Sequence, residues 1–279
     1  MAAIRHPVMR YHGGKFRLAP WIIEHFPPHR CYVEPFGGAA SVLLQKPRSE
    51  AEVYNDLDEY VVNLFRVLRD PQMSRQLAEA CMMTPFSRVE FQEAYEHTDE
   101  PVEQARRTIV RATMGFGSAG ATKGRTGFRL DTRRNYATAQ AVWSWAPANL
   151  IAVAERFAGV LVEKREAIQC MLDHDTPDTL HYVDPPYMHE ARVMASSYYR
   201  HEMNTAQHVR LIGVLKALKG SVILSGYDTD LYNDMLKGWS KRIKTTAANG
   251  VSGSVKRTEC LWIRLRTEEI AFGTNFSFL

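Results

Sequence analysis

Cysteine is scarce in this chain and scattered. Cys31, Cys81, Cys170 and Cys260 lie far apart with no C-x-x-C among them. Isolated thiols of this kind suit a reducing compartment and speak against a disulfide framework or a cysteine zinc site. The ten histidines include no H-E-x-x-H, so no metal is expected. No apolar run is long enough to span a bilayer, and the opening stretch MAAIRHPVMRYHGGK lacks the apolar segment of a signal peptide. The glycine turn after the first short strand, Pro35-Phe36-Gly37-Gly38, does not have the spelling G-x-G-x-x-G, which disfavours a nicotinamide oxidoreductase. There is no internal repeat, and the formal charge is a mild +4.

What is present begins with 279 residues, 45% of them hydrophobic, enough for one large domain or two small ones with a sizeable core. The stretch around which the rest is arranged is TLHYVDPPY, Thr179 to Tyr187. Residues Thr179 to Val183 have strand character and run into Asp184-Pro185-Pro186-Tyr187. Two prolines stiffen the turn and remove backbone donors. The corner therefore offers the Asp184 carboxylate and the Pro185 carbonyl as acceptors beside the aromatic face of Tyr187. That set suits a planar group carrying an exocyclic NH2, although a Pro-Pro turn leaving a strand has the same spelling.

Three earlier stretches keep it company. Arg10-Tyr11-His12-Gly13-Gly14-Lys15 places a ligand-accessible backbone between a ring and a positive charge. Cys31 to Ser41 reads as a short strand, then Glu34, the pair Gly37-Gly38, and small residues opening a helix over Ala39–Gln45. This is the strand–glycine–helix layout of a nucleotide-type cofactor site. A glutamate stands where a phosphate loop avoids negative charge, so a cationic or zwitterionic cofactor fits better, which points to S-adenosylmethionine. The next strand, from Glu52 to Asn55, ends at Asp56. Its distance from the glycine turn suits a carboxylate meeting ribose hydroxyls, with Asp58 as second candidate, while Asn55-Asp56 would serve equally as a helix cap. Glu166 lies near the end of a later strand, at the head of a helix over Ala167–Leu172. It suits either an adenine amino group or the helix terminus itself.

Between Asp70 and Ala146 the alternation of strand and helix breaks. Short helices are expected at Ser74–Cys81 and Val89–Tyr95, and a longer one from Pro101 to about Met114. Then comes MGFGSAGATKGRTGFRLDTRRN, with five glycines and with Lys123, Arg125, Arg129, Arg133 and Arg134 against Asp131. This segment alone carries a net charge equal to that of the whole chain. Basic residues interleaved with Phe116, Phe128 and Tyr136 suit a phosphate backbone and exposed bases. The rhythm resumes after Pro147, with helices over Ala148–Phe157 and Thr205–Lys219 and strands over Val160–Glu163, Ser221–Ser225, Lys241–Thr245 and Glu259–Leu265. The polar, aromatic stretch Met188–Met203 is placed to order over the site. His181, His189, His201 and His208 read as surface or strand residues.

Tyr11-His12-Gly13-Gly14-Lys15, Glu34-Pro35-Phe36-Gly37-Gly38, Asn55-Asp56 and Asp184-Pro185-Pro186-Tyr187, in this order, resemble the Dam-type DNA adenine methyltransferases, especially the phage and prophage branch. The resemblance covers nearly the whole chain. It implies an α/β fold, a Rossmann-like and mostly parallel sheet whose last strand is antiparallel. Residues 1–69 and 147–279 would form the S-adenosylmethionine-binding domain, with a mainly helical target-recognition insertion over 70–146. By the same analogy Tyr11, Lys15, Glu34, Phe36, Gly37, Asp56, Glu166 and Asp184 contact the cofactor, and Asp184, Pro185 and Tyr187 hold the target adenine. Lys123, Arg125, Arg129, Arg133 and Arg134 would contact DNA. The implied activity is transfer of a methyl group to N6 of an adenine flipped out of double-stranded DNA, at a specific site, in the cytoplasm of a bacterial or phage-infected cell. A modification enzyme of a restriction system is one such setting. No membrane and no obligate protein partner enter the reading. His12 departs from the small residue often found before the glycine pair, and Glu166 from the aspartate of related phage sequences. Methyl transfer to another amino nitrogen and a catalytically inactive DNA-binding regulator are the other classes considered. Asp184, where related cytosine and glutamine enzymes carry Ser or Asn, favours adenine.

Overall fold

The structure is a computed structural model that describes residues 4, 6–118, 120–122, 124–130, 138–188, 200–250 and 253–266, with backbone alone at 246–250 and 253–257. Strands β1 (Cys31–Glu34), β2 (Ala51–Asn55), β3 (Leu161–Glu163), β4 (Thr179–Val183), β5 (Ser221–Gly226), β6 (Ser240–Gly250) and β7 (Gly253–Arg264) form one sheet in the order β3-β2-β1-β4-β5-β7-β6. The first five run parallel. The last strand, β7, runs antiparallel to β5 and to β6. The β6–β7 pairing continues out to Gly250 opposite Gly253, well past the end of β5.

The alternation of side chains along each strand explains the two layers of cover. Tyr32, Tyr54, Leu180, Tyr182, Ile223 and Leu261 face one side. There they pack with α1 (Ala19–Ile23), α2 (Glu59–Arg69), α3 (Pro71–Met83), α5 (Pro101–Met114) and α6 (Ala139–Phe157). Val183, Val222, Leu224, Cys260 and Trp262 face the other side, against α7 (Ala167–Asp173), α8 (Thr205–Ala217) and α9 (Asp230–Met235). A central strand so covered carries no polar face. All five residues of β4 are buried, and all six of β5.

Local chemistry sets the helix starts. Asp58 caps α2 and accepts from the Tyr60 amide. Asp70 caps α3 ahead of Pro71, and Asn204 forms a full capping box with Gln207 on α8. Helices α2, α3, α5 and α6 pack on one another, with the short α4 (Arg88–Glu93) against α5. A buried ion cluster ties α6 to the sheet: Arg156 donates to both oxygens of Glu52 at 2.7 and 2.8 Å, and Lys46 donates to Glu52 at 2.6 Å.

Two expectations fail locally. Residues 39–45 form consecutive turns and no helix. Ala40 sits at φ 52°, outside the helical region, so the chain cannot propagate a helix through it. Helix α6 begins at Ala139 and contains Pro147, which the sequence pattern sets ahead of the helix. Proline removes one intrahelical donor but does not end a helix whose two halves are buried on the same core through Trp143, Leu150, Val153 and Phe157. A boundary at Pro147 thus falls inside a continuous helix. Among the described residues of 115–130 there is one bridge, Gly115 to Phe128. Among the described residues no helix is long and apolar enough to cross a membrane.

Candidate active site

The five parallel strands end on one edge of the sheet, and four of them bring a carboxylate to it. Glu34 is the last residue of β1, Asp56 follows β2, Glu166 lies three residues beyond β3, and Asp184 follows β4. The chain winds outward from β1 to β2 on one side and from β4 to β5 on the other, so β1 and β4 flank the point where strand order reverses. A crevice opens at such a point because the two flanking connections leave on opposite faces. A cavity of about 420 Å³ occupies it, lined by all four carboxylates together with Asp58. Its apolar wall includes Phe36, Ile168, Met203 and Leu211.

Glu34 is only 3% exposed. Its Oε2 accepts from the Tyr32 hydroxyl at 2.7 Å and the Leu43 amide at 3.0 Å. Burial pushes its carboxyl up to about 8; the two hydrogen bonds oppose that rise, and the nearby Asp184 adds to it. The glycine pair that follows is dictated by packing. A Cβ on Gly37 would lie 2.1 Å from Cε2 of Tyr54, and Gly38, at φ 48°, would bring one within 2.7 Å of the Tyr11 ring. The Gly38 amide in turn donates to Asp56 Oδ2 at 2.8 Å, and the Asp58 amide to Asp56 Oδ1 at 2.8 Å. Burial raises the Asp56 carboxyl to about 6 despite those two donors. Asp56 thus braces the glycine turn and lines the cavity, while the capping of α2, which the sequence offers to Asn55-Asp56, falls to Asp58. Glu166 takes the helix-terminus placement, capping α7 through the Gln169 amide, and also lines the cavity.

Tyr11, His12 and Lys15 line the cavity from the N-terminal segment. Lys15 Nζ lies 2.9 Å from Asp184 Oδ2 and donates to the Gly13 carbonyl at 3.0 Å. The other oxygen of Asp184, Oδ1, is buried with no hydrogen-bond partner among the described residues. Pro185 is buried, and its neighbours Asp184 and Pro186 line the cavity. Tyr187 stands just outside it. The Lys15 ammonium lies 4.7 Å from the centre of its ring, and Tyr227 meets the ring edge-on at 4.5 Å. His12, which departs from the family pattern, meets Ser118 Oγ at 3.3 Å and so links the cavity to the loop after α5.

Of the five basic residues expected at DNA, Lys123, Arg133 and Arg134 lie outside the described residues. Arg125 is exposed, 3.5 Å from Glu96 and over the Tyr95 ring at 5.4 Å. Arg129 is buried, 9% exposed, and its backbone amide donates to the Met114 carbonyl. Most of the stretch expected to order over the site, 189–199, also lies outside the described residues, but Arg200, His201, Glu202 and Met203 line the cavity. Sequence reasoning does not single out Glu259. It is buried on β7 and accepts from the Tyr187 hydroxyl. A signal exists: a lone carboxylate heading the apolar run Cys260-Leu261-Trp262-Ile263.

A mostly parallel seven-stranded sheet with an antiparallel last strand, and a ring of carboxylates around a cavity where strand order reverses, fit the methyltransferase class of α/β enzymes. Residues 11–249 match the D12 class N6 adenine-specific DNA methyltransferase family, and the chain belongs to that family. It is a DNA adenine methyltransferase, an enzyme that methylates N6 of adenine. It is similar to the DNA adenine methylase of Haemophilus influenzae, 23% identical over 253 residues that cover 85% of each chain. It is likewise similar to the DNA adenine methylase of Escherichia coli, 22% identical over 246 residues that cover 85% of this chain and 84% of the relative. A DNA adenine methylase of Serratia marcescens is 33% identical over 61 residues, 22% of each chain.

The state of Glu34 has a consequence for stability. The folded protein keeps this proton up to about pH 8, whereas an unfolded chain releases it near the ordinary glutamate value of 4.5. The folded form binds more protons between those limits, so this group's stabilising contribution is complete below the lower one and is lost as pH rises through the upper one. Glu34→Gln retains an oxygen to accept from Tyr32 and Leu43 and should flatten that fall. Urea unfolding across the same pH range checks it, and an unchanged slope would mean that Glu34 is already ionised in the folded protein.

Proposed function

We propose that the enzyme takes its methyl group from S-adenosylmethionine and delivers it to an adenine extruded from duplex DNA, with Asp184, Pro185 and Tyr187 holding the base. The observation that carries this is the divided Asp184 carboxylate. Oδ2 is on Lys15, and Oδ1 is buried, unpartnered and part of a residue lining the cavity. A buried acceptor left open costs free energy unless a ligand donor fills it. An exocyclic amino group is such a donor, and Lys15 fixes the carboxylate without competing for Oδ1.

The residues present fit the cofactor. The cavity has the volume of a site for a ligand of that size. Glu34 and Asp56, both raised by burial, favour a neighbour carrying positive charge or hydroxyl donors. Tyr11, Lys15, Glu34, Phe36, Gly37, Asp56, Glu166 and Asp184 would hold it. When bound, S-adenosylmethionine supplies an electrophilic methyl group on its sulfonium. The adenine amino nitrogen is a poor nucleophile because its lone pair is delocalised into the ring. Acceptance of its N–H groups by Asp184 Oδ1 and the Pro185 carbonyl favours a more pyramidal nitrogen, and the fixed corner aims it, so the protein's contribution is positioning and electrostatics. A paired base cannot reach this corner, so it must leave the stack, and Tyr187 offers it a new stacking surface.

We assign target recognition in duplex DNA to residues 70–146, and the chain to the phage and prophage branch on the spelling of its four motifs. Supporting the first assignment, helices α3, α4 and α5 fall between β2 and β3, outside the sheet, and lead into the basic loop, where Phe116 is 60% exposed beside the exposed Arg125.

Asp184→Ala should lower turnover by on the order of a hundredfold to a thousandfold, a much larger loss than any in S-adenosylmethionine or DNA affinity. Methyl incorporation under single-turnover conditions checks this, with a 2-aminopurine at the target position to report extrusion. A near-normal rate in the folded variant would reduce Asp184 to the end of a strand. At the loop, joint neutralisation of Lys123, Arg125, Arg133 and Arg134 should reduce the salt dependence of DNA binding by about one unit of slope for each phosphate no longer neutralised. Arg129→Ala, at a buried position, should instead lower the unfolding midpoint. An unchanged slope in the fourfold variant would move the DNA surface elsewhere.

A further inference from the structure

Glu259 has no assigned role, yet it touches the site from the far side of the sheet. The β7 register sets it opposite Lys244 on β6, one residue beyond the pair formed by Cys260 and Gly226 at the end of β5. It is 6% exposed. Its Oε1 accepts from the Tyr187 hydroxyl and from Ser225 Oγ at 3.0 Å, and lies 3.7 Å from Lys15 Nζ. Lys15 thus has Asp184 on one side, Glu259 on the other and the Tyr187 ring beneath it.

A buried phenol needs an acceptor, and a hydroxyl or a backbone carbonyl would meet that need cheaply. Ser225 is already within 3.3 Å of the Tyr187 hydroxyl. Placing a second carboxylate there, close to Asp184, carries a desolvation cost that a fold has no reason to bear for packing alone. Burial accordingly shifts the Glu259 carboxyl upward, with Lys15 opposing the shift. The hydrogen bond at the far end of Tyr187 restrains χ1, the torsion that would carry the ring away from the site, while Tyr227, edge-on at 4.5 Å, hinders its turning about χ2. A stacking surface is useful only if its place is set before the base arrives.

We propose that Glu259 is a positioning residue for methyl transfer: by receiving the Tyr187 hydroxyl it fixes the place of the ring on which the extruded adenine stacks. This rests on the reading of Tyr187 as the stacking surface. The second neighbour, Lys15, is thereby kept over the ring and on Asp184.

The test compares Glu259→Ala, Glu259→Gln, Tyr187→Phe and the double variant Glu259→Ala with Tyr187→Phe. Turnover, DNA KM, S-adenosylmethionine affinity and 2-aminopurine fluorescence are measured for each. Glu259→Ala should lose about tenfold or more in turnover together with much of the extrusion signal, the scale of removing one base-stacking surface. Glu259→Gln, whose amide oxygen still accepts, should recover most of the loss. In the Tyr187→Phe background Glu259→Ala should cost little more, because residues acting through one hydrogen bond are not additive. Wild-type turnover and extrusion in Glu259→Ala, an equal loss in both backgrounds, or no rescue by Gln would each overturn the proposal. If Glu259→Ala does not fold, Tyr187→Phe removes the same bond from the other end, and an unchanged extrusion signal there overturns it. Tyr187→Ala separates the two levels. Extrusion that survives Tyr187→Ala contradicts the stacking surface itself, whereas extrusion lost there but intact in Glu259→Ala removes only Glu259.

Discussion

The site depends on the meeting of Lys15 and Asp184, 2.9 Å apart with side chains 6% and 17% exposed. A lysine so buried is stable only against opposite charge, and two carboxylates supply it, Asp184 from β4 and Glu259 from β7. The meeting joins three parts of the chain that sequence separates widely: the N-terminal loop, the end of a central strand and the antiparallel last strand. It also fixes what each of those parts presents. Asp184 is left with one open acceptor, Tyr187 with an ammonium over its ring, and Tyr11 with its ring against Gly38.

Around that ion pair the sheet concentrates negative charge. Glu34, Asp56, Asp58, Glu166 and Asp184 all line one cavity at the ends of parallel strands. Lys15, Arg200 and Arg210 line it as well, so acidic side chains outnumber basic ones there, while the chain as a whole carries a formal charge of +4. Burial holds the proton on Glu34 up to about pH 8, and the nearby Asp184 adds to the rise.

Much of this is legible in the sequence, because strand ends, glycine turns and stiff Asp-Pro-Pro corners have local causes. Strand β4 has the limits its residues suggest, Thr179 to Val183, since five apolar or β-forming residues ending at a double proline leave little choice. Asn204 as the cap of α8 is equally local. What escapes is non-local. Glu259 gains meaning only because β7 inserts next to β5, a pairing between distant residues that no local pattern announces. Pro147 signals a break that the packing of α6 on the shared core overrides. Arg129 looks like its basic neighbours in the loop but is buried, while Arg125 is exposed. Residue type alone does not separate the two.

The central claim concerns where the methyl group goes, and nucleoside mass spectrometry of a duplex incubated with the purified protein and S-adenosylmethionine tests it most directly. Membership of the adenine-N6 family, with Asp184 Oδ1 as the proposed acceptor for the amino group, predicts N6-methyldeoxyadenosine as the product, formed only when S-adenosylmethionine is present. Methyl groups recovered on cytosine, or no methylated nucleoside from folded protein that binds both cofactor and DNA, would contradict it.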